Sequence, residues 1–182
     1  MEKTFIGNED TYRQLIGYLG MQHPGPLILY GKKGLGKRMA AEETSCAILG
    51  CGRDELSHNG DFFLLDKKTE AIRVEDVLLL LDKSSLAALG SRKIYLICHA
   101  ERMNASAQNK LLKLLEDRNR TNIVILLSER DLLLETIKSR CLTIPFFPLS
   151  AVCSRHQKQW LTAAYSKNDF FDLARSMVQV FS

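Results

Sequence analysis

The feature that most constrains the fold of this chain is a glycine-rich loop between an apolar run and a helical pattern. The apolar run Leu27–Tyr30 suits a buried strand, the segment Gly-Lys-Lys-Gly-Leu-Gly-Lys follows it as GxxxxGK, and helical spacing begins at once. In this context the backbone amides converge on phosphate oxygens and the lysine reaches the terminal phosphates. The sequence predicts a phosphate loop, and a plain glycine-rich turn is the weaker alternative. Its binding residues are Gly31, Gly34, Gly36 and Lys37.

The residues that should hold magnesium beside such a loop are absent. A hydrolysing loop continues with a Ser or Thr hydroxyl, and here Arg38 follows the lysine. The acidic residues expected at the end of a later strand are replaced by Cys98 and His99. A guanidinium cannot ligate a cation, and neither thiol nor imidazole is a hard oxygen ligand. The sequence therefore predicts no metal, no hydrolysis in cis and no required cofactor, with weak nucleotide or anion binding without magnesium left open.

Short apolar runs alternate with helical spacing along most of the chain. The runs predict five strands, at residues 27–30, 62–65, 94–98, 123–127 and 142–144. Helical patterns lie at residues 37–49, 74–81 and 105–115. This alternation predicts an α/β fold, a parallel five-stranded sheet with helices on both faces. Pro145 and Pro148 close the last strand and predict a boundary at residue 149, after which residues 150–182 form a short all-helical segment.

Composition narrows the compartment and the class of partner. No apolar run approaches the roughly 18 residues of a membrane-spanning helix, so we expect no membrane insertion. Five cysteines form no even disulfide framework, which suits a reducing cytoplasm. The formal charge of +4 is too small to indicate nucleic-acid binding by itself. Cys46, Cys51 and His58 supply too few ligands for a zinc site.

Several local motifs resemble one known family. Residues 100–103 read Ala-Glu-Arg-Met, residues 109–117 read Asn-Lys-Leu-Leu-Lys-Leu-Leu-Glu-Asp, and residues 137–141 read Ile-Lys-Ser-Arg-Cys. Shorter matches lie at residues 5–9, 61–62 and 72–77. Together they resemble the AAA+ clamp-loader subunits of bacterial DNA replication over residues 4–150. The Ser-Arg-Cys triplet is the most specific of these matches.

The resemblance implies both an architecture and a function. It implies a P-loop NTPase core of the AAA+ type over residues 1–149, and the start of a helical lid over residues 150–182. In clamp loaders the arginine of Ser-Arg-Cys faces the nucleotide of the neighbouring subunit, so Arg140, with Ser139 and Cys141 as its motif, is implied to be an arginine finger in trans. The implied function is a non-hydrolysing clamp-loader subunit of the DNA polymerase III holoenzyme. The implied partners are clamp-loader subunits of the gamma/tau and delta types, and indirectly the sliding clamp and primed DNA. The short lid implies either a piece of a longer protein or a shortened one.

Other interpretations stay open beside this one. The chain could be an active ATPase that uses water-coordinated magnesium, or Arg140 could be a structural residue paired with a nearby carboxylate. Glu101 could supply a displaced carboxylate to the magnesium site, but its place three residues beyond Cys98 favours a surface charge. Ser128 is either the family's sensor residue or an ordinary strand-end hydroxyl. A DNA-binding surface would draw on Lys110, Lys113, Arg118 and Arg120.

Overall fold

A computed structural model describes residues 8–117 and 121–148 of the chain, and this part forms a parallel sheet flanked by helices. The strands in this part are β1 (Leu27–Tyr30), β2 (Phe62–Asp66), β3 (Lys93–Cys98), β4 (Asn122–Ser128) and β5 (Leu142–Pro145). The α-helices are α1 (Glu9–Leu19), α2 (Lys37–Leu49), α3 (Val74–Ser84), α4 (Ala105–Leu115) and α5 (Glu135–Lys138). Short 3-10 helices lie at Leu56–His58 and Ala100–Arg102.

The sheet has the strand order β2-β3-β4-β1-β5, and every neighbouring pair is parallel. Strand β1 lies between β4 and β5, with Leu27 opposite both Ile125 and Leu142. In a parallel sheet all carboxyl ends meet at one edge, where α/β proteins bind their ligands. The segments that follow β1, β3 and β4 therefore share one edge of this sheet.

Helices cover both faces because both faces of the central strands are apolar. Successive strand residues point to opposite faces. Ile94 and Leu96 pack in a core cluster with α1 and α2, whereas Tyr95 and Ile97 pack in a second cluster with α3 and α4. All six residues of β3 are buried. The predicted parallel five-stranded α/β fold is confirmed.

Two helices of the structure were not among the sequence-based predictions. In α1 the buried residues Tyr12, Leu15, Ile16 and Leu19 have helical spacing, so its signal was present in the sequence and was missed. Helix α5 has four residues, which is too short for a periodic pattern. Strand β2 continues to Asp66, one residue beyond its predicted end.

The helical segment predicted for residues 150–182 and the boundary at residue 149 lie outside the described residues. Within residues 8–117 and 121–148, no helix combines the length and the apolarity that crossing a bilayer requires.

Candidate functional site

The glycine-rich loop leaves β1 at the carboxyl edge of the sheet and leads directly into α2. Gly31, Gly34 and Gly36 have φ angles of 151°, 85° and 85°, which L side chains rarely adopt. A Cβ atom on Gly31 would lie 2.5 Å from the carbonyl oxygen of Phe146, whereas nothing lies within 4 Å of one on Gly34. The predicted glycines are thus required here by backbone conformation, and Gly31 also by its close approach to the segment after β5.

The amides of this loop are available to an acceptor. Within the described part of the chain, the backbone N–H groups of residues 33–37 donate no hydrogen bond. The loop ends at the amino terminus of α2, a 13-residue helix whose dipole favours an anion. The loop therefore keeps the donors that a phosphate group needs.

Lys37 is buried, and its ammonium group is turned onto the loop. Its Nζ donates to the carbonyl oxygens of Gly31, at 2.5 Å, and Lys32, at 2.8 Å. Burial lowers the pKa of Lys37, while the charges of Glu129 and Glu101 act in the opposite direction. An entering phosphate group would compete with these two carbonyls for the ammonium protons.

A cleft of about 360 Å³ opens beside the loop. It brings together three of the four predicted loop residues, Gly34, Gly36 and Lys37, with the ends of β3 and β4, as the parallel topology requires. Gly31 is not among its lining residues. Its lining is Lys33, Gly34, Leu35, Gly36, Lys37, Arg38, Met39, Cys98, His99, Leu127 and Glu129.

Arg38 occupies the position of the expected magnesium-binding hydroxyl and is held by two carboxylates. Its Nε donates to Oε1 of Glu42 at 2.7 Å, and its Nη1 pairs with Oδ2 of Asp66. Asp66 ends β2 directly beside Cys98 of β3. The hydrogen bond that Arg38 donates to Glu42 is the main cause that raises the pKa of Arg38 above its usual value. Sequence reasoning missed both carboxylates. The i,i+4 spacing of Arg38 and Glu42 on α2 was readable in the sequence, whereas only the register of β2 against β3 places Asp66 at this edge.

His99 lies at the end of β3, with carboxylates on three sides. It is the only residue other than glycine with a positive φ, 55°, in the described part of the chain. Each ring nitrogen lies 3.9 Å from a carboxylate oxygen. Nε2 is at this distance from Asp66, and Nδ1 is at this distance from both Glu101 and Glu129. The Glu101 side chain is 8% exposed and accepts from the backbone N–H of Glu129 at 3.2 Å. The expectation that Glu101 is a surface charge is wrong, because the turn after β3 folds it back against the end of β4.

These residues do not fit magnesium. Arg38 is a permanent cation, and burial raises the pKa of the Cys98 thiol to about 12, so that this side chain is a neutral thiol near neutral pH. The Asp66 carboxylate is already paired with the guanidinium, and Glu129 is the one carboxylate among the residues that line the cleft. Glu129 alone does not supply the set of oxygen ligands that a small hard cation requires, and the positions expected to hold the metal carry a guanidinium and a thiol.

Ser128, for which the resemblance implied a sensor role, is buried at the end of β4. Its hydroxyl donates to the carbonyl oxygen of Arg130 at 2.8 Å. In this arrangement it stabilises the turn that follows β4.

The residues considered for zinc lie at the end of α2 and beyond it. The backbone N–H of Cys51 donates to the carbonyl oxygen of Cys46 across the helix end, and burial raises the pKa of Cys46 to about 11. The His58 ring is hydrogen-bonded to Ser57, with Oγ and Nδ1 3.1 Å apart. The part of the chain that the structure describes holds no group of three or more His, Cys, Asp or Glu side chains that could bind a metal ion. The absence of zinc stays a prediction.

Arg140 lies at the opposite edge of the sheet from the phosphate loop. It precedes β5, whose first residue is paired with the first residue of β1, whereas the loop follows the last residue of β1. The four residues of β1 separate the two positions by roughly 13 Å at about 3.3 Å per residue. The Arg140 side chain is 40% exposed and is held by Glu116, through Nε at 2.7 Å, and by the Thr136 carbonyl oxygen at 2.9 Å.

The remaining motif residues flank this arginine in different environments. Ser139 is exposed and donates to the carbonyl oxygen of Thr136 at 3.2 Å. Burial raises the pKa of Cys141 to about 12. The buried amide of Gln108 in α4 accepts from the backbone N–H of Leu134 at 2.7 Å, which fixes the start of α5 and so the turn that carries Arg140. The exposure and distance expected for a finger in trans are present, and its role stays a prediction.

Solved structures similar to this chain share its fold. A DNA polymerase III gamma subunit-related protein from Thermotoga maritima matches with a TM-score of 0.65 at 19% identity, covering 94% of this chain and 58% of that protein. The RuvB Holliday junction branch migration motor of the same organism matches with a TM-score of 0.55 at 20% identity, covering 78% of this chain and 45% of that one. At these identities the likeness concerns the fold alone.

Sequence relatives carry the family assignment. The subunit delta' of DNA polymerase III from Bacillus subtilis is 36% identical over 134 residues, which are 65% of this chain and 41% of the relative. The corresponding subunit from Pseudomonas aeruginosa is 36% identical over 138 residues, 66% of this chain and 42% of the relative. The chain thus spans about two fifths of the length of these curated relatives. The model of the family described as DNA polymerase III, delta subunit, matches residues 22–150, more than half of the chain. The chain therefore belongs to this family, the delta-prime-like clamp-loader proteins of AAA+ fold.

Proposed function

We propose that the chain acts as a non-hydrolysing, delta-prime-type subunit of the bacterial clamp loader, within the DNA polymerase III holoenzyme of the cytoplasm. Its partners would be subunits of the gamma/tau and delta types, with the sliding clamp and primed DNA contacted through the assembly. The observation that carries this proposal is the replacement of the magnesium site by Arg38 paired with Asp66, beside a phosphate loop that keeps its glycines and lysine. A subunit of an assembly can lose hydrolysis and still be maintained for its interfaces. The loss of the magnesium ligands together with the retention of the trans arginine favours the delta-prime type over the gamma type.

Arg140 would serve the neighbouring subunit. A planar, permanently charged guanidinium stabilises the charge that develops during phosphoryl transfer, and it does so from outside the nucleotide's own domain. Its exposure, and its position at the edge of the sheet away from its own phosphate loop, support this role. The Glu116 pair keeps the side chain ordered on the surface before a neighbour arrives.

The other functions considered gain no comparable support. An active ATPase would need magnesium ligands, and the donors at the end of β3 are a neutral thiol and an imidazole. Lys110 and Lys113 lie on α4, and Arg118 and Arg120 lie outside the described residues. No feature of the described residues gathers these cations into a nucleic-acid surface.

The test is a clamp loader reconstituted with an ATP-hydrolysing partner. With Arg140→Ala, the partner's kcat should fall by about tenfold or more, since arginine fingers in related phosphoryl transfers contribute still larger factors. Complex formation, measured by size exclusion, should persist. Lys138→Ala is the matched control, because it removes a cation two residues away whose partners are Asp131 and Glu135. Unchanged turnover in an intact Arg140→Ala complex would contradict the trans role.

A further inference from the structure

The cation beside the phosphate loop is part of the chain and is fixed in place. The two carboxylates that hold Arg38 are themselves largely buried, with side chains 16% exposed for Glu42 and 10% for Asp66. One carboxylate lies a helical turn further along α2, and the other ends the neighbouring strand β2. Because two separate elements hold the guanidinium, its position does not depend on a ligand.

This arrangement opposes a divalent cation at the same place. A metal ion entering the cleft would meet the positive charge of Arg38 at close range, and like charges repel most strongly where water is partly excluded. The metal would also have to displace Arg38 from Asp66 to gain the Asp66 carboxylate as a ligand beside Glu129. Magnesium that enters the cleft bound to a phosphate ligand would be repelled by Arg38 in the same way.

The same arrangement suits a phosphate group that carries no metal. Lys33, Lys37 and Arg38 line the cleft, and Glu129 is the one carboxylate among its lining residues. Within the described residues, Nη2 of Arg38 donates no hydrogen bond to an acceptor, so the fork retains donors beyond those that the two carboxylates use. Together with the free amides of residues 33–37, these cations form a site for oxyanions.

We propose that the cleft binds phosphate groups free of magnesium, with the Arg38 guanidinium supplying the positive charge that the metal supplies in hydrolysing P-loop proteins. The ligand class is a metal-free di- or polyphosphate, carried either by a nucleotide or by an inorganic anion. This inference rests on the part of the proposed function that keeps the phosphate loop. It also reverses the usual effect of magnesium on ligand affinity. In a hydrolysing P-loop protein magnesium supports nucleotide binding, whereas here it weakens binding, because it partly neutralises the ligand and adds a cation beside Arg38.

The experiment is isothermal titration of the full chain with pyrophosphate and, separately, with ADP. Each titration is run once in EDTA and once with magnesium in excess of the anion. We expect binding in EDTA that becomes about tenfold or more weaker in magnesium. Tighter binding of ADP than of pyrophosphate identifies the nucleotide as the source of the phosphate, and equal binding identifies the phosphate groups alone.

Arg38→Thr restores the hydroxyl of the hydrolysing loop and should weaken binding in EDTA by about tenfold or more, since it removes a charge-assisted donor. Arg53→Thr is the matched control. Arg53 also pairs with Glu42, at 3.1 Å, and its side chain is 44% exposed against 43% for Arg38, but it does not line the cleft. The Arg53→Thr substitution also removes a positive charge from Glu42, and it should leave anion binding unchanged.

Three results would overturn the proposal. They are tighter binding in magnesium, equal binding in EDTA by wild type and Arg38→Thr, and no binding of either anion by the wild-type chain. If Arg38→Thr does not fold, Arg38→Lys is the second variant, and it should retain anion binding in EDTA because it keeps a cation. The comparison of wild-type binding with and without magnesium tests the proposal without any variant. The clamp-loader role is tested separately through Arg140 in the assembly, so failure here leaves that role standing.

Discussion

Arg140 and Glu116 form an ion pair across the surface between α5 and the end of α4. Nε of Arg140 donates to Oε1 of Glu116 at 2.7 Å, and Nη2 lies 2.7 Å from the same oxygen. The side chains are 40% and 53% exposed. The pair thus orders the arginine at little thermodynamic gain, since exposed ion pairs contribute only about 0–1 kcal/mol.

The first prediction concerns the stability of this pair. Arg140→Ala should change the free energy of unfolding by no more than about 0.5 kcal/mol, because exposed substitutions rarely do more. A double-mutant cycle with Glu116→Gln, measured by urea denaturation of the isolated chain, should give a coupling energy of about 0.2–1 kcal/mol. A loss above about 2 kcal/mol for Arg140→Ala would indicate a structural arginine instead.

The second prediction is that the isolated chain does not hydrolyse ATP. Arg38, Cys98 and His99 stand where magnesium and the attacking water need oxygen ligands. A phosphate-release assay with magnesium should show no turnover above the Lys37→Ala background. Turnover near about 1 per second, the lower end of ordinary enzyme rates, would contradict this account of the site.

The third prediction compares two glycines of the loop. Gly31→Ala should destabilise the fold more than Gly34→Ala, because the new Cβ would lie 2.5 Å from the Phe146 carbonyl oxygen, whereas at Gly34 it meets nothing within 4 Å. Gly34→Ala still forces an alanine to a φ of 85°, at a cost of about 1–3 kcal/mol. Urea denaturation of both variants measures the difference. Equal losses would mean that the segment after β5 can move away from the loop.

The fourth prediction concerns a buried lysine at the start of β3. Lys93 is 2% exposed, and its Nζ donates to the carbonyl oxygen of Lys83, at 2.8 Å, and to that of Leu86. Lys93→Met should cost about 1–3 kcal/mol of stability, because it leaves these carbonyls without their donor. Lys83→Met, at an exposed position, is the control and should shift stability by less than about 0.5 kcal/mol. Similar losses of stability for the two variants would show that Lys93 does not anchor the α3–β3 loop.

The fifth prediction is a loss of stability at alkaline pH. Burial raises the pKa of Cys98 and of Cys141 to about 12 each, and that of Cys46 to about 11. In the unfolded chain these thiols ionise near about 8.5. A raised pKa in the folded state means that the contribution of each thiol is complete below the unfolded value and is lost as the pH rises. Urea stability should therefore fall from about pH 9 to pH 11.

Thiol alkylation checks the same property site by site. Native protein treated with iodoacetamide at about pH 8 should be modified slowly at Cys98 and Cys141, since the thiolate is the reacting form. Peptide mass spectrometry reads each position, and the urea-unfolded chain is the control. Rapid native labelling of Cys98 would show that the end of β3 is open to solvent.

The phosphate loop and the parallel sheet could be predicted from the sequence because their signals are local. The glycine spacing of residues 31–36 dictates a backbone conformation, and the all-apolar run in β3 already requires cover on both faces. The loss of the magnesium ligands could also be inferred from single positions, Arg38 and Cys98. The role predicted for Arg140 came from the family resemblance, because nothing in the neighbouring sequence indicates it.

Only the tertiary structure decided what surrounds those positions. One partner of Arg38 is 28 residues away, and Asp66 reaches it because β2 lies parallel to β3 in a register that sets Asp66 beside Cys98. The Glu101 side chain is only 8% exposed because the turn after β3 meets the end of β4, and Lys93 is buried because the α3–β3 loop closes over it. These pairings depend on strand order and register, which bring together residues that no periodicity along the chain connects. The sequence alone thus determined a phosphate loop without its metal ligands, and the assembled sheet determined that a fixed arginine stands where the metal would be.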